Sequence, residues 1–423
     1  MNYRISKKDK TLKGTINLTP SKSISNRVLM IRALCRDHFP IVNLATANDT
    51  LLLQKLLSTT SGILNAEDAG TTFRFLTSYF AQKPGEWSLT GSNRLKERPV
   101  GILVNALRNL NADIEFSEKE NFPPLNINGK KLIGGILEMK GSISSQFVSS
   151  LLMIAPTLEK GLIVKLKGEV TSKPYIKMTL DLMKQFGIKY EWKEHEISVM
   201  RQDYKPARIT IENDWSAASY WYEMAALADD VDLKIVGLQK NSLQGDSVIA
   251  EIMNQFGVET EFIQDGIRLT KKYPANSSSV SPLTSHNTTA SSTPFSYDFQ
   301  AHPDLVQTLA VTCAALGTKG EFRGVQNLRL KETDRLNALQ AELKKIGAET
   351  SISDYAFQMK EFKKPHTNHF AFHTYHDHRM AMSFAPLALT LGEVEIENPE
   401  VVKKSYPEFW DDLQSVGFEI QKI

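Results

Sequence analysis

Clusters of cationic and hydroxyl side chains stand where apolar helical patterns begin. In LTPSKSISNR (18–27), Lys22, Ser23 and Arg27 lie at the start of a predicted helix whose apolar face begins at Val28. Free backbone N–H groups at a helix start attract anions, and a lysine and an arginine add full positive charge there. An ordinary capped helix with solvated cations explains this one stretch equally well.

Further clusters share this design, with polar or charged residues leading directly into an apolar helical pattern. They are RLKERPVG (94–101), GSISSQFVSSLL (141–152), TSKPYIKMTL (171–180), RLKETDRLNAL (329–339) and YHDHRMAMSFA (375–385). Each cluster alone is more often a surface salt-bridge patch than a binding site. Together they favour several helix starts that bind anions.

Two carboxylates stand among or beside these cations. Lys331 and Arg335 are four residues apart, a spacing that predicts one shared helical face, and Glu332 follows Lys331 directly. Asp304 stands at the start of a strongly apolar helical segment, where an N-terminal helix cap is an equal alternative. A carboxylate among cations is either an acid–base group or a counterion, and the sequence leaves both open.

The histidines and cysteines point away from a metal site. A metal site at His378 needs further ligands at suitable spacing, which the adjacent His376 and Asp377 do not provide. Cys35 and Cys313 lie in apolar segments, which favours buried thiols in a reducing compartment.

Length and charge restrict the class of protein. At 423 residues the chain exceeds the size of one hydrophobic core, so two domains of about 200 residues each are expected. Lys plus Arg number 50 and Asp plus Glu number 48, so no overall field favours a nucleic acid or a membrane surface. The segment MNYRISKKDKTLKG lacks the apolar core of a signal peptide. We expect a cytoplasmic enzyme or binding protein.

One pattern recurs: apolar residues three and four apart, then a Gly or Asn, then apolar residues about two apart. It occurs at 103–116, 180–192, 249–262, 339–352 and 409–423. The pattern predicts a helix that ends on a left-handed residue and is followed by a strand. The copies are too far apart for a solenoid, so they predict an α/β unit repeated in each domain.

Two segments depart from this pattern. Residues 48–68 resemble a sixth, eroded copy that lacks a clear following strand. Residues 271–297 are rich in Ser, Thr, Asn and Pro, which predicts a mobile surface loop without chemistry.

Ordered motifs give the chain a specific resemblance. They are PSKSISNR, DAGTTFR, LKERPVG, GSISSQF, SKPYI, NLRLKETDRL, YHDHRMAM and KKSYPEFW. Across about residues 14–415 the chain resembles the 5-enolpyruvylshikimate-3-phosphate synthase family of enolpyruvyl transferases. The resemblance implies transfer of the enolpyruvyl group of phosphoenolpyruvate to the 5-hydroxyl of shikimate 3-phosphate.

The resemblance also implies the fold, α/β (α+β). It is a two-domain inside-out α/β barrel of the enolpyruvyl transferase type, with repeated βαβαββ units, helices inside and sheets outside. One implied domain spans 20–211, on the shikimate 3-phosphate side. The other combines 1–19 with 212–423, on the acid–base and phosphoenolpyruvate side, and in the family the two domains close over the substrates.

Residue roles follow from the motifs one position at a time. The implied catalytic residues are Asp304, Glu332, Lys22 and His378, with Asp304 as the base for the 5-hydroxyl and Glu332 as the acid for the methylene carbon. Shikimate 3-phosphate is implied to bind Lys22, Ser23, Arg27, Ser144, Ser145, Gln146, Ser172, Asp304, Asn327 and Lys331. Phosphoenolpyruvate is implied to bind Lys22, Gly70, Arg98, Gln146, Arg335, Arg379 and Lys404.

Charge balance agrees with these roles. The two substrates carry on the order of six negative charges near neutral pH, and arginine forks bind two oxygens of a carboxylate or phosphate at once. The offsetting cations are Lys22, Arg27, Arg98, Lys331, Arg335, Arg379 and Lys404. The reaction needs proton transfer but no redox chemistry, so we expect no cofactor and no metal. The expected partners are the two substrates, without nucleic acid or membrane, and the chain is expected to be a monomer.

Three positions depart from the family pattern. Asp68 replaces a usual Asn, Phe75 a usual Pro and His376 a usual Asn, and the segment between Lys22 and Gly70 is shorter than usual. None of these changes removes a matched charge. They leave the response to glyphosate open.

Two other functions are alternatives to enolpyruvyl transfer onto shikimate 3-phosphate. The UDP-N-acetylglucosamine enolpyruvyl transferases share the fold and the donor but carry a reactive loop cysteine, which neither Cys35 nor Cys313 matches. A non-catalytic anion-binding protein predicts decay of the acid–base pair, yet Asp304 and Glu332 both stand in intact motifs.

Overall fold

The chain forms two compact units in a computed structural model that describes residues 1–272, 294–365 and 367–423. The continuous unit is Pro20–Ile211, and the split unit combines Met1–Thr19 with Glu212–Ile423. Strands β1 (Asn2–Ser6) and β2 (Thr11–Asn17) open the chain. They pair with strands from the second half of the chain, which is why the first residues belong to the split unit.

The continuous unit alternates helices with short strands. Its helices are α1 (Lys22–Leu34), α2 (Asn48–Leu57), α3 (Gly70–Gln82), α4 (Asn93–Lys96), α5 (Gly101–Asn109), α6 (Ser145–Ile154) and α7 (Lys173–Gln185). Its strands are β3 (Ile41–Val42), β4 (Gly62–Asn65), β5 (Gly85–Thr90), β6 (Asp113–Phe116), β7 (Leu125–Gly129), β8 (Gly135–Lys140), β9 (Leu162–Lys167), β10 (Glu191–Lys193), β11 (Glu196–Val199) and β12 (Ile209–Thr210). The sheet orders are β4-β5-β7-β6, β10-β11-β9-β8 and β12-β3.

The split unit repeats the same arrangement. Its helices are α8 (Trp215–Leu227), α9 (Ile249–Ile252), α10 (Val306–Ala315), α11 (Arg335–Lys345), α12 (His378–Phe384), α13 (Ala388–Leu391) and α14 (Phe409–Ser415). Its strands are β13 (Asp230–Val236), β14 (Val258–Ile263), β15 (Gly266–Lys271), β16 (Phe295–Asp298), β17 (Gly320–Arg323), β18 (Ala348–Ile352), β19 (Ala356–Phe362), β20 (Ala371–Phe372), β21 (Glu393–Glu397) and β22 (Glu419–Lys422). The sheet orders are β20-β21-β1-β22, β14-β15-β13-β2 and β16-β17-β19-β18.

Helices form the interior of each unit, and the sheets cover them. Every residue of α10 and α12 is buried, as is every residue of α8 except Ser216. The strands alternate instead: β7 reads buried, exposed, buried, exposed, buried along its length. A strand of this kind has one face on the helices and one face in water.

The recurring helix–Gly–strand pattern is confirmed where the structure describes it. The residues that join helix to strand have left-handed backbone, with φ of 76° at Asn111, 84° at Gly187, 77° at Gly257, 85° at Gly347 and 90° at Gly417. Glycine adopts this conformation without a Cβ clash, so it can end a helix and redirect the chain into a strand.

Two sequence-based expectations need correction or restriction. The eroded copy at 48–68 does have a following strand, β4, although it is only 4 residues long and exposes Ile63. Its weak alternation explains why the pattern was missed. Most of the loop predicted at 271–297 lies outside the described residues, but Lys271 ends β15 and Phe295 begins β16, so both ends of that prediction are wrong.

Candidate active site

Arg335 is the centre of a charged cluster in the split unit. It is the first residue of α11, whose N-cap is Asp334, and it is 1% exposed. Its Nε donates to Asp377 Oδ2 at 2.7 Å, its Nη2 to Glu332 Oε2 at 3.0 Å, and its Nη1 to Asp304 Oδ1 at 3.3 Å. One buried guanidinium therefore fixes three carboxylates.

Each of the two predicted acid–base carboxylates contacts a second cation. Arg379 Nη2 lies 2.8 Å from Asp304 Oδ2, and its Nη1 donates to the Asp304 carbonyl at 3.2 Å and to Tyr220 Oη at 3.3 Å. Lys404 Nζ lies 3.7 Å from Glu332 Oε1. The predicted residues Asp304, Glu332, Arg335, Arg379 and Lys404 are thus brought together.

The charge state of Asp304 follows from its surroundings. Burial raises the pKa of this carboxyl, but the positive charges of Arg379, Lys331 and Arg335 outweigh burial and hold the pKa below its ordinary value. The same cluster raises the pKa of Arg335, since Asp377 and Glu332 outweigh the effect of burial. Asp304 is therefore ionised near neutral pH.

The local structure of two predicted residues differs from the sequence-based expectation. Asp304 lies in a 3-10 turn, Pro303–Leu305, and the start of α10 has no side-chain cap, so the capping alternative is wrong. Lys331 does not share a helical face with Arg335, because it has an extended backbone (φ −92°, ψ −156°) and α11 begins only after the Asp334 cap.

Two buried aspartates belong to this cluster but were not assigned to it from the sequence. Asp377 is 0% exposed, accepts from the Arg379 backbone N at 2.9 Å as the N-cap of α12, and binds Arg335. Its place before an apolar helix was the available signal. Asp246 is buried and accepts from the Ser216 hydroxyl; burial, followed by the charge of Asp304, raises its pKa to about 7.

The continuous unit positions a second group of predicted residues at helix starts. Ser21 caps α1 by accepting from the Ile24 backbone N at 3.4 Å, so Lys22 is the first residue of that helix, as predicted. Lys22 Nζ lies 3.3 Å from Asp49 Oδ2, near the start of α2. Asp49 was missed in the sequence because it belongs to the segment with the weakest pattern.

Arg27 is built into the helical interior of this unit. It is 2% exposed, its Nε donates to Thr179 Oγ1 at 2.7 Å, and its Nη1 donates to the Ser23 carbonyl at 2.9 Å. Its guanidinium lies over the ring of Phe75 at 5.7 Å, so this departure from the family pattern supports a predicted site residue. Burial lowers the pKa of Arg27 to about 10.

Gly70 begins α3 in close contact with two guanidinium groups. A Cβ at this position would lie 2.5 Å from Arg74 Nη1 and 2.7 Å from Arg98 Nη1, so any side chain here would displace one or both guanidinium groups. Arg74 Nη1 also donates to Gln146 Oε1 at 2.9 Å. Gly70, Arg98 and Gln146, all predicted for phosphoenolpyruvate, therefore surround Arg74, which the sequence analysis did not assign.

The remaining predicted residues also stand at helix starts or turns. Ser144 caps α6 and accepts from the Gln146 backbone N at 3.3 Å, and Ser145 is the first residue of that helix. Ser172 precedes α7 in a left-handed conformation, φ 52°. Asn327 lies in the 3-10 turn Gln326–Leu330, and His378, 2% exposed, begins α12.

The described residues contain neither a metal-binding group nor a membrane-spanning helix. In residues 1–272, 294–365 and 367–423, no three His, Cys, Asp or Glu side chains are grouped so as to hold a metal ion. No helix in these described ranges has the length and apolar character required to cross a membrane.

Sequence comparisons identify similar proteins. A family model described as EPSP synthase (3-phosphoshikimate 1-carboxyvinyltransferase) matches residues 6–61 and 53–413. A 3-phosphoshikimate 1-carboxyvinyltransferase of Bacteroides fragilis is 43% identical over 417 residues, which cover 97% of this chain and 97% of that protein. The protein of the same name from Vibrio campbellii is 35% identical over 435 residues, covering 96% of this chain and 97% of its own.

Solved structures share the fold. EPSP synthase from Acinetobacter baumannii matches with a TM-score of 0.76 at 20% identity, covering 100% of both chains. The enolpyruvyl transferase NikO from Streptomyces tendae matches with a TM-score of 0.74 at 14% identity, covering 99% of this chain and 98% of its own. The predicted inside-out α/β fold class is confirmed.

Proposed function

The chain belongs to the EPSP synthase (3-phosphoshikimate 1-carboxyvinyltransferase) family, and from this premise we propose that Asp304 and Glu332 are its acid–base pair. The protein transfers the enolpyruvyl group of phosphoenolpyruvate to shikimate 3-phosphate in the shikimate pathway of aromatic amino acid biosynthesis. One observation carries the assignment of roles. Asp304 and Glu332 both bind Arg335, and each contacts a further cation.

The reaction has an addition step and an elimination step, and both transfer protons. In the addition step the acceptor hydroxyl oxygen bonds to C2 of phosphoenolpyruvate, the hydroxyl proton passes to a base, and C3 gains a proton. In the elimination step the C2–O bond to phosphate breaks and C3 loses a proton, which restores the double bond. A base at the hydroxyl and an acid at C3 that later accepts a proton meet these needs.

Asp304 suits the role of base. Its carboxylate is ionised because Arg379, Lys331 and Arg335 stabilise the negative charge more than burial opposes it. Those cations are also the groups that we assign to the anionic substrates. When substrate oxygens share their charge, Asp304 is less strongly stabilised, its pKa rises, and it becomes a better proton acceptor.

Glu332 suits the acid that serves C3. Its two oxygens contact different cations, Arg335 Nη2 at 3.0 Å and Lys404 Nζ at 3.7 Å. The contacts hold the carboxyl group in a fixed orientation, as a group that transfers a proton to carbon requires. Lys22 and His378 are proposed as further catalytic residues, each at the start of a helix.

The substrate contacts follow from the chemistry of the two clusters. For phosphoenolpyruvate we propose Lys22, Gly70, Arg98, Gln146, Arg335, Arg379 and Lys404. For shikimate 3-phosphate we propose Lys22, Ser23, Arg27, Ser144, Ser145, Gln146, Ser172, Asp304, Asn327 and Lys331. Guanidinium groups and helix starts bind phosphate and carboxylate oxygens through several N–H donors at once.

The same proposal covers the roles of the two units, the cellular compartment and the oligomeric state. The continuous unit supplies most of the proposed shikimate 3-phosphate contacts, and the split unit supplies the acid–base pair. We further propose a cytoplasmic monomer, in keeping with two free cysteines, Cys35 and Cys313. The reaction as written balances without a redox cofactor.

A phosphate-release assay tests the proposed acceptor. Phosphoenolpyruvate is supplied with shikimate 3-phosphate in one arm and with UDP-N-acetylglucosamine in the other. We expect phosphate release only with shikimate 3-phosphate. Release only with the sugar nucleotide would assign the chain to the other enolpyruvyl transferases, and tight binding of both substrates without release would indicate a non-catalytic protein.

A further inference from the structure

A stripe of polar side chains runs through the apolar interior of the split unit. It lies on α8, α10 and α12, the three helices whose residues are almost all buried. Its members, each 0% exposed, are Ser219, Glu223, Gln307, Thr308, Thr312 and Ser383. Buried polar groups normally have hydrogen-bond partners, because leaving one without a partner is costly.

Three of these six side chains have hydrogen-bond partners in the protein. Ser219 Oγ donates to the Ser216 carbonyl at 2.7 Å and lies 3.0 Å from Thr308 Oγ1. Thr312 Oγ1 donates to the Thr308 carbonyl at 2.8 Å. These hydroxyls bridge neighbouring turns or neighbouring helices and need no further partner.

The other three side chains have polar atoms without a hydrogen-bond partner in the described part of the chain. Within the described part of the chain, neither carboxyl oxygen of Glu223, neither amide atom of Gln307 and not the hydroxyl of Ser383 has a hydrogen-bond partner. A carboxyl, an amide and a hydroxyl together offer both donors and acceptors. Their chemistry is that of a small polar ligand site, not of an apolar core.

Helix geometry brings these three side chains towards one place. Glu223 is four residues after Ser219, which contacts Thr308 on α10, and three after Tyr220, which contacts Arg379 on α12. Residues three and four apart share a helix face, so Glu223 points between α10 and α12. Side chains lean towards the start of their helix, which brings the Glu223 carboxyl back to the level of Ser219.

The same reasoning places the other two members. Ser383 is four residues after Arg379 and so shares the face of α12 that meets α8. Gln307 precedes Thr308 directly and lies at the same level of α10. All three unsatisfied groups thus lie on helices that pack against one another, and the faces of α8 and α12 that carry Glu223 and Ser383 meet.

We propose that Glu223, Gln307 and Ser383 enclose an internal hydration site, in which one or more ordered water molecules bridge the carboxyl, the amide and the hydroxyl. Water provides both donors and acceptors and fits a polar interior site with two to four partners. Water can satisfy donors and acceptors alike without adding charge to the core.

The bound water faces a neutral Glu223. Burial raises the pKa of Glu223 well above its ordinary value. The charged or titratable groups of α8 and of the segments packed against it are Tyr220, Tyr222, Asp246, Glu251, Glu259, Glu261, Arg268, Lys271, Asp304, Cys313, His378 and Arg379. A protonated carboxyl donates one hydrogen bond and accepts others, so it can hold water without a counterion.

A crystal structure of the ligand-free full chain is the direct test. We expect electron density for ordered water within hydrogen-bonding distance of the Glu223 carboxyl and the Gln307 amide. Direct contact between these side chains, or an empty apolar gap between them, overturns the proposal.

A pair of glutamine variants tests the same site in solution. Glu223→Gln keeps a donor and acceptors, so we expect an unchanged thermal midpoint near pH 4, where the carboxyl is protonated in both the folded and the unfolded chain. We expect a higher midpoint than wild type near pH 8, where burying the ionisable acid lowers stability. The matched control is Glu342→Gln in the same unit: Glu342 is also 0% exposed but is bound by Lys345 at 2.6 Å and Tyr375 at 2.7 Å. That variant should lower the midpoint at both pH values.

Two outcomes of this comparison contradict a water site. A fall in the midpoint of Glu223→Gln as large as that of Glu342→Gln would show an ionised Glu223 with a required partner. Stabilisation of the wild type, but not of Glu223→Gln, by potassium chloride relative to choline chloride at equal ionic strength would identify that partner as a monovalent cation.

Discussion

At the scale of single residues, the site depends on how cations are shared between carboxylates. Asp304 and Glu332 each bind Arg335 and one further cation, while Asp377 accepts from the Nε and Nη2 of Arg335. The arrangement keeps Arg335 in place when a substrate attracts it. Removal of any one carboxylate therefore affects both the charge and the geometry of the others.

The first prediction concerns the acid. We expect Glu332→Gln to bind both substrates with near wild-type affinity and to lower kcat by about 100-fold or more, because an amide cannot give a proton to carbon. Steady-state phosphate release gives kcat, and calorimetry gives the two affinities. Glu321→Gln, on strand β17, is the control. A kcat close to wild type would remove Glu332 from the mechanism.

The second prediction concerns Gly70. A Cβ there meets Arg74 Nη1 at 2.5 Å and Arg98 Nη1 at 2.7 Å, so Gly70→Ala must displace one or both guanidinium groups. We expect the KM for phosphoenolpyruvate to rise on the order of 10-fold, with a smaller change in kcat. Gly168→Ala controls for general loss of stability: its φ of 74° strains an alanine, but its Cβ meets nothing within 4 Å, so we expect lower stability with an unchanged KM. An unchanged KM would place phosphoenolpyruvate elsewhere.

Sequence reasoning was strongest for residues inside ordered motifs and weakest for their partners. It placed Asp304, Glu332 and Arg335 among functional residues, and the structure brings them together. It did not assign Asp377 or Asp246, because an aspartate before a helix looks the same whether it only caps or also binds an arginine. That difference depends on a residue distant in sequence.

At the scale of elements, helix starts carry most of the candidate site. Lys22, Gly70, Ser145, Arg335 and His378 are each the first residue of a helix. A helix start leaves backbone N–H groups free and carries partial positive charge, so it favours phosphate and carboxylate. The caps that fix these starts therefore also fix the candidate binding groups.

The third prediction tests one such cap. Asp334 accepts from the Asn337 backbone N at 3.2 Å and so fixes the start of α11. We expect Asp334→Ala to lower the free energy of unfolding by about 1 kcal/mol and to lower kcat/KM, because Arg335 follows the cap directly. Denaturant unfolding and steady-state kinetics measure the two effects. Lys344→Ala, on the exposed face of the same helix, should change neither; equal effects of both variants would contradict a specific role for the cap.

Element boundaries show what a sequence can and cannot give. Gly187, Gly257, Gly347 and Gly417 end their helices in the left-handed conformation, as the apolar spacing and the glycine predicted. Lys331 was placed on the helix of Arg335 because spacing alone cannot show where a helix begins. The Asp334 cap, which depends on backbone geometry, decides that point.

At the scale of the whole molecule, strand pairing joins the first residues of the chain to the split unit. Strand β2 pairs in parallel with β13 from Thr11↔Asp230 to Asn17↔Val236, which attaches the first residues to the split unit. The sequence alone did not show this pairing, because parallel partners far apart in the chain leave no local pattern. The family resemblance was needed to place the domain boundary.

The fourth prediction concerns stability and pH. Burial, followed by the charge of Asp304, raises the pKa of Asp246 to about 7 from 3.8, so the folded protein keeps a proton that the unfolded chain releases. The contribution of this group to the free energy of unfolding is therefore largest below about pH 4, and it decreases as the pH rises to about 7. The decrease is at most about 1.4 kcal/mol per pH unit.

Asp246→Asn removes this ionisation and provides the measurement. The unfolding free energy of the variant minus that of the wild type should increase between about pH 4.5 and about pH 7.5 in urea unfolding. The exposed variant Asp354→Asn is the control. A difference that stays constant over this range would show that Asp246 does not hold its proton in the folded state.

The central claim is that a carboxyl of the split-unit cluster transfers a proton to C3 of phosphoenolpyruvate. It is tested most directly by running the reaction in D₂O and measuring deuterium in the methylene group of the product. We predict that wild-type product acquires deuterium there and that Glu332→Gln, at equal enzyme concentration, incorporates it at least about 100-fold more slowly. Incorporation by the variant at the wild-type rate would contradict the account.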